Sequence, residues 1–227
     1  MRRRPHRVDV DAIAREHLEA GDPVGWFEPV YRAARWEAGA IPWVGQRPHP
    51  YVVDWLDEPV APPPGDRAVV VGCGLGDDAA ALARRGFATT AFDVAPSAVK
   101  WARRRFLRSG IDWRVQDVLD LPEDLVGAFD LVVEVRTVPS LPGVVRDAAM
   151  QAVASLAAPG GIVLVVALLA TSSEHAAGID GPPWPQAPAE LAAYRAGGLE
   201  QLALEHPDPD EDGVLEARIT WRRPGPA

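Results

Sequence analysis

The feature that most constrains this chain is Val69-Val-Val-Gly-Cys-Gly-Leu-Gly-Asp-Asp-Ala79, where a run of valines passes straight into three spaced glycines and then a helix-like segment. Valines with no polar alternation read as a strand covered on both faces, the kind found in parallel sheets between helices. Gly72, Gly74 and Gly76 let the backbone turn sharply and approach a ligand where a side chain would collide with it. A glycine-rich strand-to-helix turn is also compatible with a purely structural role.

The surrounding sequence extends the same alternation. Short apolar runs at Ala68–Val71, Ala88–Phe92, Asp112–Gln116, Phe129–Val135 and Ile162–Ala167 read as strands. Between them Asp77–Arg85, Pro96–Arg108 and Val144–Leu156 carry helical spacing, with Ala95, Ala98, Val99, Ala102 and Phe106 on one face. The polar, proline-rich stretch Thr171–Pro188 reads as a loop, followed by a helix at Ala189–Ala196 and strands at Leu199–Glu205 and Val214–Trp221. The short connection Asp208–Gly213 suits a hairpin rather than a helical crossover. The prediction is an α/β three-layer sandwich whose seven-stranded, mostly parallel sheet ends in an antiparallel hairpin.

Residues 1–58 read as a Trp-rich helical cap, with Ile13, His17 and Leu18 on one stripe and Trp26, Phe27, Val30, Tyr31 and Trp36 after it. The run Pro59-Val-Ala-Pro-Pro-Pro-Gly65 cannot continue a helix, and it separates this cap from the main unit, residues 59–227. At 227 residues, 48% hydrophobic and 24% charged, the two form one compact unit.

A net charge of −9 disfavours a broad grip on nucleic acid, because that affinity comes mainly from Lys and Arg. Arg2–Arg4 reads as a frayed terminus and Arg103–Arg105 as a solvated helix face. A single cysteine, Cys73, excludes an intramolecular disulfide and a multi-thiolate metal site, which fits a cytoplasmic location and no metal. The most apolar run, Ile162–Ala170, is too short to span a membrane, and Pro5-His-Arg-Val-Asp9 is not an apolar leader. The expected partner is a small molecule; oligomeric state is left open.

Asp93, followed by Val94, ends the second strand 21 residues after Gly72. That is close to the spacing at which a carboxylate reaches ribose hydroxyls in nucleotide-binding α/β folds. The alternative is that Asp93 starts the helix near Pro96. Asp117 ends the third strand, where it can receive an adenine amino group while Val118 packs on the ring. Ligands of open α/β sheets sit beyond the carboxyl ends of the strands, so these three strand ends line one crevice.

Together these motifs resemble class I S-adenosylmethionine-dependent methyltransferases, with their Rossmann-like fold, over about residues 68–167. Phe129-Asp-Leu-Val-Val-Glu-Val135 and Leu156-Ala-Ala-Pro-Gly-Gly-Ile-Val-Leu-Val-Val166 are similar to that family's fourth and fifth strands. The resemblance implies S-adenosylmethionine as cofactor, held by Gly72, Cys73, Gly74 and Gly76 at the methionyl part, Asp93 and Val94 at the ribose, and Asp117 and Val118 at adenine. A narrower resemblance, to the thiopurine and thiol methyltransferase branch, rests on Ile41-Pro-Trp-Val-Gly-Gln-Arg-Pro-His-Pro50 and Gly181-Pro-Pro-Trp-Pro185. It implies a thiol acceptor and an N-terminal lid containing Trp36 and Trp43; core packing is the alternative for both. The chain departs from the family at Val70, where an acid or proline often stands two residues before the first glycine. Asp77 or Asp78 can compensate, or can simply favour a helix N-terminus.

Methyl transfer from a sulfonium needs alignment and exclusion of water more than a nucleophile on the protein. For acceptors that must lose a proton, Glu134 is the candidate general base and a cofactor contact, with His175 second. Arg136 and Arg146 can contact an anionic acceptor or form ordinary ion pairs. Cys73 reads as a small packing residue in the turn rather than a reactive thiol. Two other readings share the motifs: an NAD-dependent oxidoreductase, and a non-catalytic relative that keeps the cofactor as a ligand.

Overall fold

A computed structural model describes residues 7–206, 208 and 210–225; Arg2–Arg4 lies outside them. Seven strands form one sheet: β1 (Arg67–Val71), β2 (Ala88–Asp93), β3 (Asp112–Val115), β4 (Phe129–Val135), β5 (Ala157–Ala170), β6 (Glu200–Glu205) and β7 (Val214–Arg222). Their order is β3-β2-β1-β4-β5-β7-β6. The first five are parallel, β7 runs antiparallel to β5, and β6 pairs antiparallel to β7 at the edge. The helices are α1 (Val10–Glu19), α2 (Phe27–Ala33), α3 (Pro50–Asp57), α4 (Asp77–Arg84), α5 (Pro96–Arg105), α6 (Gly143–Ser155), α7 (Ser173–Gly178) and α8 (Ala192–Ala196).

Strand residues alternate between two cores, as a period of two requires. Ala68, Val70, Leu131, Val133, Leu164 and Val166 face α3, α4 and α5, where Trp55, Leu82 and Val99 cover them. Val69, Val71, Val132, Val163 and Val165 face α6 and α8, where Met150, Val153 and Tyr194 cover them. This double coverage is why the central strands carry no polar alternation.

A third core joins α1 and α2 to the sheet domain: Trp26, Val30, Tyr31 and Ile41 pack with Leu75, Ala95, Ala98 and Trp101. Glu28 fixes the contact by accepting hydrogen bonds from the Ser97 backbone N–H at 2.9 Å and hydroxyl at 2.7 Å. The helical segment before the proline run is thus split by its packing. Its first helices rest on α5, whereas α3 belongs to the sheet's own helical layer.

Two regions differ from the sequence reading. Strand β5 begins at Ala157 rather than Ile162, because Gly160, at φ +80, and Gly161 let it bulge against β4 instead of only leading into it. The stretch read as a loop contains α7, started by Ser172, whose side chain accepts from the His175 N–H at 3.1 Å.

The strand order reverses between β1 and β4. From β1 the chain winds outward to β2 and β3, then returns to place β4 on the other side. Reversal leaves a crevice at the carboxyl ends of β1 and β4, where no crossover covers the sheet.

Candidate active site

A cavity of about 380 Å³ occupies that crevice. Its floor is the turn after β1. Gly72, Gly74 and Gly76 have φ of 60, 51 and 85, in the left-handed region that favours glycine. A Cβ on Gly72 would come within 2.2 Å of Thr137 Oγ1, and one on Gly76 within 2.4 Å of the Trp113 ring. Both glycines are therefore demanded by internal packing. At Gly74 the nearest atom to an added Cβ is the Tyr31 hydroxyl in the roof, at 3.1 Å. Gly72, Cys73 and Gly74 line the cavity and Gly76 does not.

Asp93 is buried against this floor, with Val94 beside it on the cavity wall. Its carboxylate accepts from Gly74 N–H and from Ala95 N–H, both at 2.9 Å. Burial raises its pKa to about 6, outweighing the two amides, which favour the charged form. Asp93 thus braces the glycine turn and the lead-in to α5, whose N-cap is Ala95.

The roof comes from chain far from the floor in sequence. Trp26, Tyr31 and Trp43 meet edge to face, with ring centroids 6.1 and 6.2 Å from Trp43. Trp43 Nε1–H donates to the Tyr31 hydroxyl at 3.3 Å. Arg47, His49 and Arg136 line the mouth, with Pro182 and Pro183 of the late loop. The two short motifs around Trp43 and around Pro182 thus border one cavity. His49 Nδ1 accepts from Tyr51 N–H at 3.2 Å, which puts the ring proton on Nε2, 3.3 Å from Glu216. Glu216 also pairs with Arg136.

Several residues singled out from sequence stand apart from the cavity. Trp36 is an exposed ring on the outer side of α5, 5.3 Å from Trp101 and beneath the Arg104 guanidinium. Val118 is buried in the core under α6. Asp117 accepts from Leu119 N–H at 2.9 Å in a local turn. Arg146 lies buried, 3.3 Å from Glu190, and His175 sits 3.1 Å from the Thr171 hydroxyl on the surface.

Glu134 differs most from its sequence reading as a cavity base. It is fully buried beneath the loop after β4 and does not line the cavity. One oxygen accepts from the Thr137 and Val138 N–H groups and the other from the Tyr194 hydroxyl at 3.4 Å. Burial raises its pKa to about 7. This carboxyl holds a turn in which Arg136, at φ 55, takes a left-handed conformation. The Arg136 backbone is pinned from both sides, its N–H donating to Val166 at 2.9 Å and its carbonyl accepting from Ser140 at 2.9 Å.

His49, Arg47 and Glu216 escaped the sequence reading. Arg47 and His49 stood in the Ile41–Pro50 motif without being singled out; the further signal was positional, since His49 lies between Pro48 and Pro50, where one polar residue ends a rigid stretch and starts α3.

A parallel sheet that reverses at a glycine turn, with an acid closing the next strand and an antiparallel pair beyond the fifth, defines the Rossmann-like fold of class I methyltransferases. The chain belongs to the thiopurine S-methyltransferase family, whose model, Thiopurine S-methyltransferase (TPMT), matches residues 31–222. A ubiquinone biosynthesis O-methyltransferase of Xanthomonas axonopodis pv. citri (strain 306) is 37% identical over 155 residues, covering 61% of this chain and 64% of that protein. The chain therefore spans less than two thirds of that relative.

Among solved structures, the N-methyltransferase NodS from Bradyrhizobium japonicum WM9, in complex with S-adenosyl-L-homocysteine, superposes with a TM-score of 0.64 at 19% identity, over 87% of this chain and 99% of that one. The [4+2]-cyclase SpnF superposes with a TM-score of 0.65 at 18% identity, over 97% and 99%. At these identities the likeness is one of fold. No helix among the described residues is long and apolar enough to cross a membrane.

Proposed function

We propose that this chain is an S-adenosylmethionine-dependent methyltransferase acting on a small-molecule acceptor, with a thiol as the favoured acceptor class. The cofactor reading is carried by the cavity at the sheet's reversal point, floored by Gly72 and Gly74 and flanked by Asp93. The residues present fit that group. Each Asp93 oxygen accepts one backbone N–H and keeps capacity for a ribose hydroxyl, and the Trp26 and Tyr31 rings suit a sulfonium cation.

When bound, the cofactor supplies a methyl group on a sulfonium, a leaving group that needs no protonation. The chain's own contribution is alignment and shielding: Asp93 orients the nucleoside, and Trp26, Tyr31 and Trp43 exclude water from above.

The thiol preference rests on what the acceptor side of the cavity offers. Glu134 is withdrawn beneath the loop, and both His49 ring nitrogens are engaged. With neither Glu134 nor His49 poised there to remove a proton, acceptors that ionise near neutral pH are favoured: a thiol at about 8.5 over a phenol at about 10. The family's description as S-methyltransferases agrees with this preference. The 37% identical relative, named for O-methyl transfer, supports an oxygen acceptor as the second reading.

Calorimetric titration with S-adenosylhomocysteine and NAD tests the cofactor, with binding of the first alone expected. Release of S-adenosylhomocysteine with thiophenol and with phenol then tests the acceptor. Faster turnover of thiophenol is expected. Binding of NAD alone removes the methyltransferase reading, and faster turnover of phenol moves the acceptor to oxygen.

A further inference from the structure

At its mouth the cavity has a wall of proline, formed by Pro182 and Pro183. In the stretch Pro182-Pro183-Trp184-Pro185 only Trp184 has a backbone N–H, so a single peptide carries the main-chain donor that can fix this wall. That N–H donates to the Pro139 carbonyl at 2.7 Å, in the Val138–Ser140 turn that follows β4. The Trp184 carbonyl in turn accepts from Arg146 Nη1 at 3.2 Å. Elsewhere at the mouth, the His49 N–H donates to Asp78 Oδ1 at 2.7 Å.

Arg146 projects from α6 and is buried, with Nε 3.3 Å from Glu190 Oε2. The other Glu190 oxygen accepts from the Ala187 N–H at 2.7 Å, so this carboxylate also closes the turn that follows the wall. Between them Gln186 joins β5, its N–H donating to Leu168 at 2.7 Å and its carbonyl accepting from Ala170 at 2.9 Å. Holding a guanidinium out of water is costly unless its donors are used. The planar fork of arginine lets one side chain meet a carboxylate and a carbonyl together, which a point charge does less well.

We infer that Arg146 is a positioning residue for the methyl acceptor, an inference that rests on the acceptor reading above. Through the Trp184 carbonyl it holds the Pro182-Pro183 wall in place, while touching neither acceptor nor cofactor. The cofactor side takes its hydrogen bonds elsewhere: Asp93 from Gly74 and Ala95, and the Cys73 N–H from Phe92. Loosening the wall therefore acts on the acceptor and spares the cofactor.

The test is steady-state methyl transfer to thiophenol, with calorimetric titration of S-adenosylhomocysteine alongside. Wild type is compared with Arg146→Met and with the double variant Arg146→Met, Glu190→Gln. Methionine keeps apolar bulk and removes every donor, and glutamine removes the charge that the single variant leaves buried without its cation. Both variants are expected to raise the thiophenol KM roughly tenfold, the size of one lost charge-assisted hydrogen bond. S-adenosylhomocysteine affinity should stay within about twofold, and kcat should change less than KM. KM is independent of the concentration of folded enzyme, so a loss of stability alone does not move it.

An unchanged KM in both variants overturns the inference. Recovery of the wild-type KM in the double variant also overturns it, because the effect then comes from the lone Glu190 charge rather than from the Trp184 tie. Weakening of S-adenosylhomocysteine as large as the rise in KM overturns the assignment to the acceptor side. Where phenol is the faster acceptor, the same comparison is made with phenol. A wild type that methylates neither overturns the acceptor reading itself, and this inference with it.

Discussion

The floor and the roof of the cavity are built from different kinds of bond. On the floor the glycine turn is held through backbone: Cys73 N–H donates to Phe92 at 2.9 Å, and Gly74 N–H to Asp93. Around the roof links between side chains join those through backbone: Trp43 to Tyr31, His49 to Glu216, and Arg136 to Glu216. Backbone links are set once strand register is set, whereas side-chain links keep rotamer freedom and exposed charges are screened by salt. The floor is thus formed before any ligand arrives. In the roof Trp26 and Tyr31 are buried, whereas Trp43 and Arg47 at the mouth are exposed.

The largest effect should come from disturbing the floor. Gly72→Ala forces a side chain into the left-handed region and into Thr137, and is expected to cost about 3 kcal/mol or more in denaturant unfolding. Adding Thr137→Ala should recover part of that loss. A Gly72→Ala variant as stable as wild type would break the claim that packing, rather than ligand approach alone, demands this glycine.

Glu134, between floor and roof, should give the next effect. Its Ala variant leaves the Thr137 and Val138 N–H groups without their acceptor, at a cost of about 2–3 kcal/mol. The Gln variant keeps an acceptor and removes a buried charge. Because the folded pKa is raised from 4.5 to about 7, this group's stability contribution is fully present below pH 4.5 and lost as pH rises to about 7. Asp93, raised from 3.8 to about 6, acts in the same direction. Glu134→Gln should therefore unfold at higher denaturant than wild type above pH 7, by on the order of 2 kcal/mol, with the difference vanishing near pH 4. Methyl transfer that survives in Glu134→Gln but fails in Glu134→Ala would separate holding the turn from taking a proton.

The smallest effect belongs to the roof. Arg136 is half exposed, so Arg136→Met should change stability by less than about 1 kcal/mol, and less again in high salt. A larger loss that persists in salt would make the roof as rigid as the floor.

The same division explains what could be read from sequence. All seven strands, the crossover helices α4, α5 and α6 and the terminal hairpin were legible, because double coverage writes unbroken apolar runs and the glycines after β1 mark a turn, whereas α7 was not. The place of Asp93 at the end of β2 was legible from the apolar run that it closes. The Glu134 environment was not, since a carboxylate pointing into the cavity and one capping the next turn have the same local sequence. Nor was the separation of Trp36 from Trp43. Seven residues apart on one Trp-rich stretch, Trp36 packs on Trp101 of α5 while Trp43 meets Trp26 and Tyr31 at the cavity, and only those tertiary contacts tell them apart.

The hydrogen bond between His49 and Asp78 fastens roof to floor through a main-chain amide, in a tripeptide, Pro48-His49-Pro50, whose other two residues have no N–H to offer. Attachment therefore does not depend on which side chain occupies position 49, provided it is not proline. Exchange of the imidazole therefore costs the α3 cap and the Glu216 contact but keeps this main-chain link between roof and floor.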